Sequence, residues 1–354
     1  MSEGALLAVD VGGGTQDLFL WEPGQAVENA VKMVLPAPTQ IAARRLRRLT
    51  AAGRAVFLTG RLMGGGPINS AVRGHLAQGL PVYASPQAAL TLHDNLDIIK
   101  QWGVSFTDNP PPEAVPLVLG DVDLEALGAV FTNFEVPFPT RFAVAVQDHG
   151  FSPQASNREF RFQQWREMLD RGGKLADLAF RKPPECFTRM QAVAEALPGV
   201  LLMDTCTAGM RGALLDPEAR KHREVGLTVV NLGNAHTFAA LIKGYRVFGV
   251  YEHHTGLLTP GKLDQHLSCF QAGGLKHLEV FDDGGHGCAI HPDYFQERPF
   301  TFTVITGPRR ALAQGWPGIF AAPLGDMMLT GCFGLADAWL AMEQQPWVLG
   351  EVQG

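Results

Sequence analysis

The stretch Leu6-Leu7-Ala8-Val9-Asp10-Val11-Gly12-Gly13-Gly14-Thr15-Gln16-Asp17-Leu18-Phe19-Leu20-Trp21 decides how the rest of the chain is read. An apolar run enters Asp10, a glycine run turns the chain, and a second apolar run leaves after Asp17. The pattern is strand, glycine turn, strand. Residues without a Cβ let backbone N–H groups fold inward and approach an anion closely. A carboxylate at the entry repels phosphate, so the two share one site when a divalent cation lies between them. Mg²⁺ is held by one or two carboxylates together with phosphate oxygens and water. The turn lacks the Lys of the Gly-x-x-x-x-Gly-Lys-Ser/Thr phosphate loop, and strand-like residues stand where the dinucleotide fingerprint requires a helix. An ordinary glycine-rich hairpin is the competing reading of this stretch alone.

A second copy tips the balance. Leu227-Thr228-Val229-Val230-Asn231-Leu232-Gly233-Asn234-Ala235-His236-Thr237-Phe238-Ala239-Ala240-Leu241-Ile242 repeats the design, registering Asp10 on Asn231 and Gly12 on Gly233. Each copy is followed by a further strand-like run, Ala26 to Leu35 and Tyr245 to Tyr251. Two three-stranded units, each opening on a polar residue and a glycine turn, indicate a duplicated architecture.

The ordered set resembles the superfamily of acetate and sugar kinases, heat-shock 70 chaperones and actin. Asp10-Val11-Gly12-Gly13-Gly14-Thr15 matches its first phosphate element, and Asn231 to Thr237 its second. Asp204-Thr205-Cys206-Thr207-Ala208-Gly209-Met210-Arg211-Gly212-Ala213 fits its small-residue connecting helix. Val304 to Arg310 and Gly325 to Ala336 look like its adenosine-contacting turn and its second connecting helix. The resemblance implies an α/β, duplicated ribonuclease H-like (actin-like ATPase) fold, with two domains around a central cleft. It places a first domain with insertions at 1–203, a connecting-helix region at 204–225, a second domain at 226–325, and a C-terminal connecting helix packing back on the first domain at 326–354. At a finer level the chain resembles DUF1786, a prokaryotic domain of unknown function labelled as a pyruvate formate-lyase activating enzyme. Radical activases carry a closely spaced three-cysteine motif; Cys186, Cys206, Cys269, Cys288 and Cys332 are all far apart in sequence.

The resemblance implies ATP and Mg²⁺ as cofactors. Asp10 would hold the metal, Gly12, Gly13, Gly14, Thr15 and Asp17 would meet the phosphates from one side, and Asn231, Gly233, Asn234, His236 and Thr237 from the other. Gly307 would contact the adenosine. The superfamily pattern begins its second phosphate element with Asp; Asn231 is neutral, which weakens metal neutralisation and leaves room for slow turnover. Three functions are therefore carried forward: an ATP-dependent phosphotransferase or ATPase on an unknown small-molecule or protein acceptor, a nucleotide-dependent switch acting on a partner protein, and a metal-dependent enzyme on the same scaffold.

The third rests on histidine-bearing segments. The expected strand Arg141 to Val146 ends in Gln147-Asp148-His149-Gly150, where Asp148 is a candidate general base, or else closes a strand-end turn. Glu252-His253-His254-Thr255-Gly256 and Asp282-Asp283-Gly284-Gly285-His286-Gly287-Cys288 add imidazoles, carboxylates and a thiol, all transition-metal ligands. Adjacent His253 and His254 point opposite ways on a strand, so at most one of them joins a common site. Asp148, His149, His254 and His286 form the candidate ligand set, against structural histidines as the alternative.

Between the two units, Thr39 reads as the cap of a helix running to about Ala52, with Arg44, Arg45, Arg47 and Arg48 facing outward. Arg54 to Gly60 reads as a strand ending in the loop Met63-Gly64-Gly65-Gly66-Pro67, and Ser85-Pro86 as the capped start of a helix carrying Leu90, Ile99 and Trp102. With 354 residues, 46% hydrophobic, 18% charged and a net charge of −6, the composition is that of a globular chain without a basic nucleic-acid footprint. Scattered cysteines, an odd number, fit a reducing compartment, and neither a signal peptide nor a membrane-length apolar run is expected. A cytoplasmic protein is the expectation; the oligomeric state is not legible.

Overall fold

The structure is a computed structural model describing residues 4–154, 156–345 and 349. Strand β1 (Leu6–Val11) pairs antiparallel with β2 (Thr15–Trp21), Leu6 opposite Trp21 and Val11 opposite Gln16. β2 continues antiparallel to β3 (Lys32–Pro36). The strand expected from Ala26 starts late. Asn29 N–H donates to Ala26 O (3.0 Å) and Ala30 N–H to Val27 O (3.3 Å), so local bonds close a 3-10 turn over Val27–Asn29 before the ladder resumes.

The chain then leaves this sheet to build an insertion. Helix Pro38–Ala51 leads to β4 (Val56–Gly60), helix Pro67–Ala77 to β5 (Val82–Ala84), followed by β6 (Ser105–Phe106) and β7 (Val115–Leu119). These strands form a separate parallel sheet in the order β6-β5-β4-β7, with its own core of Leu46, Val56, Leu58, Ile68, Val72 and Leu117. Arg44, Arg45, Arg47 and Arg48 are exposed on its surface. Ser85 caps as expected, accepting from Ala88 N–H at 3.3 Å, but the helix covers only Pro86–Ala89. Asn95 then accepts from Asp97 N–H (3.0 Å) and starts a second helix, Leu96–Gln101; two caps divide what reads as one element.

Returning to the first sheet, β8 (Arg141–Val146) lies parallel to β1, while the short β9 (Ala179–Phe180) borders β10 (Leu201–Met203), itself parallel to β8. The second unit repeats the plan with β11 (Leu227–Leu232), β12 (His236–Lys243), β13 (Arg246–His254), β14 (Gly287–Ile290), β15 (Thr303–Thr306) and β16 (Ile319–Phe320). The orders are β3-β2-β1-β8-β10-β9 and β14-β13-β12-β11-β15-β16. In both, an antiparallel meander is extended by parallel strands on the far side of its first strand. This is a duplicated ribonuclease H-like fold of the actin-like ATPase kind.

Two helices lie between the sheets. Thr205–Ala213 is buried from Cys206 to Ala213, sending Ala208 into the core beneath Leu6 and Phe19 and Met210 into the one beneath Val229 and Phe238. Thr330–Met342 packs Phe333 edge-on against Phe19, ring centres 5.1 Å apart. Residues 346–348 and 350–354 of the expected C-terminal segment lie outside the described residues. Among the described residues no helix is long and apolar enough to cross a membrane.

Candidate functional site

The two glycine turns are built alike. Gly12 N–H donates to Thr15 O and Gly233 N–H to His236 O, each at 2.9 Å. Their tips meet: a Cβ on Gly13 would lie 3.4 Å from Ala235 Cβ, and one on Gly14 2.6 Å from Asn234 Nδ2. Behind the tips is a cavity of ≈ 110 Å³, lined by Asp10, Gly12, Gly13, Thr15 and Asp17 from one hairpin and Asn231, Gly233, Asn234 and His236 from the other. Gly307, at φ +98°, closes one wall; a side chain there would strike Leu232 O at 2.4 Å. Gly14 sits against Asn234 rather than on the cavity wall. Thr237 is fully buried with its hydroxyl bonded to Thr255 Oγ1 (3.0 Å), so it secures the hairpin and does not face the cavity.

Asp10 and Asp17 are direct cross-strand partners on one face of the first hairpin. Like charges so placed repel; Asp17 is buried, and Asp10 is half-buried with its Oδ1 out of water. Burial, then Asp17 and Asp204, pushes the Asp10 carboxyl well above its ordinary range. Burial pushes Asp17 up to about 7, with Asp326 adding and the Thr15 hydrogen bond opposing. Asp10 Oδ1 and Asp17 Oδ1 are buried without a hydrogen-bond partner. Gly331 brings helix Thr330–Met342 onto the carboxylate; a Cβ there would fall 1.9 Å from Asp10 Oδ2. Neither Lys nor Arg lines the cavity. Two oxygen donors lacking partners and a pocket without cationic side chains suit a hard divalent cation. The matching position of the second hairpin differs: Asn231 donates from Nδ2 to Thr306 Oγ1 (3.2 Å), and Phe238 takes the place of Asp17.

A second constellation abuts the cavity. Asp148 does not enter it. Its Oδ1 accepts from Gly150 N–H and its Oδ2 from Met190 N–H, both at 2.9 Å, so the carboxylate closes the strand-end turn. Burial raises it to about 6 against those two hydrogen bonds. Each oxygen is thus held by a backbone N–H, and Asp148 is not among the residues lining this cavity. His149, next in the chain, turns the other way and stacks on His286 with ring centres 5.0 Å apart. His236 lies 4.9 Å from His286 and 5.6 Å from His149 by the same measure. His254 flanks the group, 4.7 Å from His286, while His253 points away to Asp283 Oδ2 (3.0 Å). Burial lowers all three central imidazoles: His149 well below its usual value, His236 to about 4 and His286 to about 3.

Arg161, on helix Asn157–Asp170, organises the surroundings. Its Nε donates to Glu252 Oε2 (2.5 Å), and its Nη1 and Nη2 donate to Asp204 Oδ2 (3.0 Å) and Oδ1 (3.2 Å). Gln147 Nε2 reaches the other oxygen of Glu252 at 2.8 Å. Burial alone would raise Glu252, but Arg161 overrides it and holds the carboxylate below the ordinary range. Arg161 escapes a motif-based reading. Glu252 heads the quoted Glu252-His253-His254 segment but stands outside the candidate ligand set, although strand alternation puts it on the inward face with Val250.

A family model described as "Putative pyruvate format-lyase activating enzyme (DUF1786)" matches residues 63–312. The chain belongs to the DUF1786 family. No curated protein matches it in sequence. Among solved structures, the DUF1786 chain is similar to a putative N-acetylmannosamine kinase from Listeria monocytogenes, at 8% identity and TM-score 0.36, covering 96% of this chain and 99% of that one. It is also similar to a ROK hexokinase from Thermus thermophilus, at 12% identity and TM-score 0.31, with coverage of 96% and 99%. A PPX-GPPA enzyme from Aquifex aeolicus follows at 12% identity and TM-score 0.28, with coverage of 86% and 67%. The fold of this DUF1786 member is carried by its strand order and by the shared register of its hairpins. Among the described residues, the histidine group with Glu252 is the one gathering of three or more His, Cys, Asp or Glu side chains placed to hold a metal; the cysteines form none.

Proposed function

We propose that this protein is an ATP-dependent phosphotransferase or ATPase that uses Mg²⁺. The observation carrying the reading is the pair of buried carboxylates, Asp10 and Asp17, whose Oδ1 atoms lack partners at the base of a cavity walled by two glycine turns. Asp10 and Asp17 would hold Mg²⁺, directly or through water. When bound, that ion neutralises phosphate charge, which together with positioning is most of what phosphoryl transfer requires.

The chain's own part is to bind and enclose. Gly12 and Gly233 spend their N–H groups closing the turns, which leaves the N–H of Gly13 to present a donor from one side and that of Asn234 from the other. The Gly307 turn would sit beside the nucleoside. The cavity, at ≈ 110 Å³, has room for phosphate groups rather than a whole nucleotide, so the halves would part to admit ligand and close over it, excluding water. Isothermal titration with ATP and Mg²⁺ tests this. Binding that needs Mg²⁺ and is lost in Asp10→Ala is the expected result; no binding, or binding indifferent to Asp10→Ala, removes the reading.

A further inference from the structure

We infer that His149, His236 and His286, with Glu252, bind one divalent transition-metal ion that ties the two halves of the molecule together. One ligand atom from each of the four residues lies within 4.8 Å of the others. Neighbouring ligands of a tetrahedral ion held at ~2.1 Å stand ~3.4 Å apart, so the four atoms close in by about an ångström, through rotations of the rings, to complete the shell.

The imidazoles are prepared for a ligand and for nothing else nearby. His286 is 2% exposed and neither of its ring nitrogens has a partner. Both nitrogens of His236 and Nε2 of His149 are also buried without partners. Buried polar atoms are nearly always hydrogen-bonded, and here five of the exceptions belong to the three clustered rings. Burial keeps the rings uncharged, the form that donates a lone pair to a metal. Glu252 is fully buried, and its carboxylate is aimed by Arg161 and Gln147. Each of its oxygens retains a lone pair, and second-shell bonds of this kind orient metal ligands.

The donor set separates this ion from the one at Asp10 and Asp17. Imidazoles suit zinc, copper, iron, cobalt or nickel, whereas carboxylate and phosphate oxygens suit magnesium. Placement gives it a role. His149 follows β8 of the first sheet, while His236 and Glu252 lie on β12 and β13 and His286 immediately precedes β14 of the second. His236 also fixes the second glycine turn through its carbonyl bond from Gly233 N–H. An ion here spans the cleft and sets the position of that turn. Four protein ligands make a closed, structural shell.

The experiment uses the full chain, stripped with chelator and titrated with Co²⁺ alone, following the visible d–d absorption, with stoichiometry from elemental analysis. One tightly bound Co²⁺ per chain with the intense bands of a four-coordinate site is expected. His149→Ala and His286→Ala should each weaken binding more than ~100-fold, beyond what loss of a second-shell group does. His222→Ala, at an imidazole stacked on Phe302 far from the group, should leave it unchanged. If His286→Ala fails to fold by circular dichroism, His149→Ala, at a half-buried strand end, decides. The spectrum of hydrated Co²⁺ alone, or tight binding that survives His149→Ala, overturns the inference. Nucleotide is absent throughout, so this outcome is independent of the ATP reading.

Discussion

The hairpins β1–β2 and β11–β12 share a backbone and differ in chemistry. Each closes with a 2.9 Å bond across its glycine turn, and each is extended by a parallel strand on its outer side. The first places Asp10 opposite Asp17; the second places Asn231 opposite Phe238. One turn ends in Thr15, the other in His236. A duplicated frame has thus been divided: one copy concentrates negative charge that wants a hard cation, and the other supplies an imidazole to a softer cluster. The lesson is that equivalent backbone positions specify where a group points, while the side chain alone specifies what it can bind.

The largest expected effect tests what supports the second copy. Arg161→Met removes the partner of both Glu252 and Asp204, leaving buried charge uncompensated. Such losses run to ~3–5 kcal/mol, read as a lower urea midpoint. An unchanged midpoint would show that Glu252 and Asp204 find other partners.

Next comes the charge of the first copy. Burial holds the proton on folded Asp17 up to about 7, above the ordinary carboxyl value of 3.8, so the native state binds more protons than the unfolded chain between those values. Metal-free protein should therefore lose stability as pH rises from ~4 to ~7. Asp17→Asn should flatten much of that slope and be the more stable form at pH 8, by roughly 4 kcal/mol at ~1.4 kcal/mol per pKa unit. Buried Asp10 acts in the same direction, so some slope should persist. Stability that climbs over this window in the wild type would contradict the burial argument.

The copies can then be set against each other in binding. Asp10→Asn should weaken Mg²⁺-dependent ATP binding by ~100-fold, equivalent to ~2.7 kcal/mol. Asn231→Ala, which deletes only the neutral bond to Thr306, should cost less than ~10-fold, in line with a single uncharged hydrogen bond. Equal losses would mean that the hairpins share the cation after all. The smallest effect is expected at Thr237→Val, where the lost hydroxyl pair with Thr255 should lower stability by ~1 kcal/mol without altering ATP affinity.

Much of this was legible in advance because it is local. Alternating apolar residues and glycine runs dictate a hairpin within a few positions, and its repetition at Leu227 reveals the duplication. Asp10 and Asp17 are seven residues apart and meet by strand pairing alone. Asp148 reads as a candidate base from its place at a strand end, yet the chain folds Met190 N–H over it and holds it outside the cavity between the hairpins. Likewise the Ser85 helix is split because Asn95 offers a competing cap that composition does not rank against apolar spacing.

By itself the sequence determined the two glycine hairpins, the acidic character of one and the neutral character of the other, since strand periodicity and turn chemistry act over short range. Only the tertiary structure decided that His149, His236, Glu252 and His286 converge and that Arg161 holds Glu252 in place. These residues come from separate elements with no regular spacing, and the packing of two sheets across a cleft is what brings their side chains to one point.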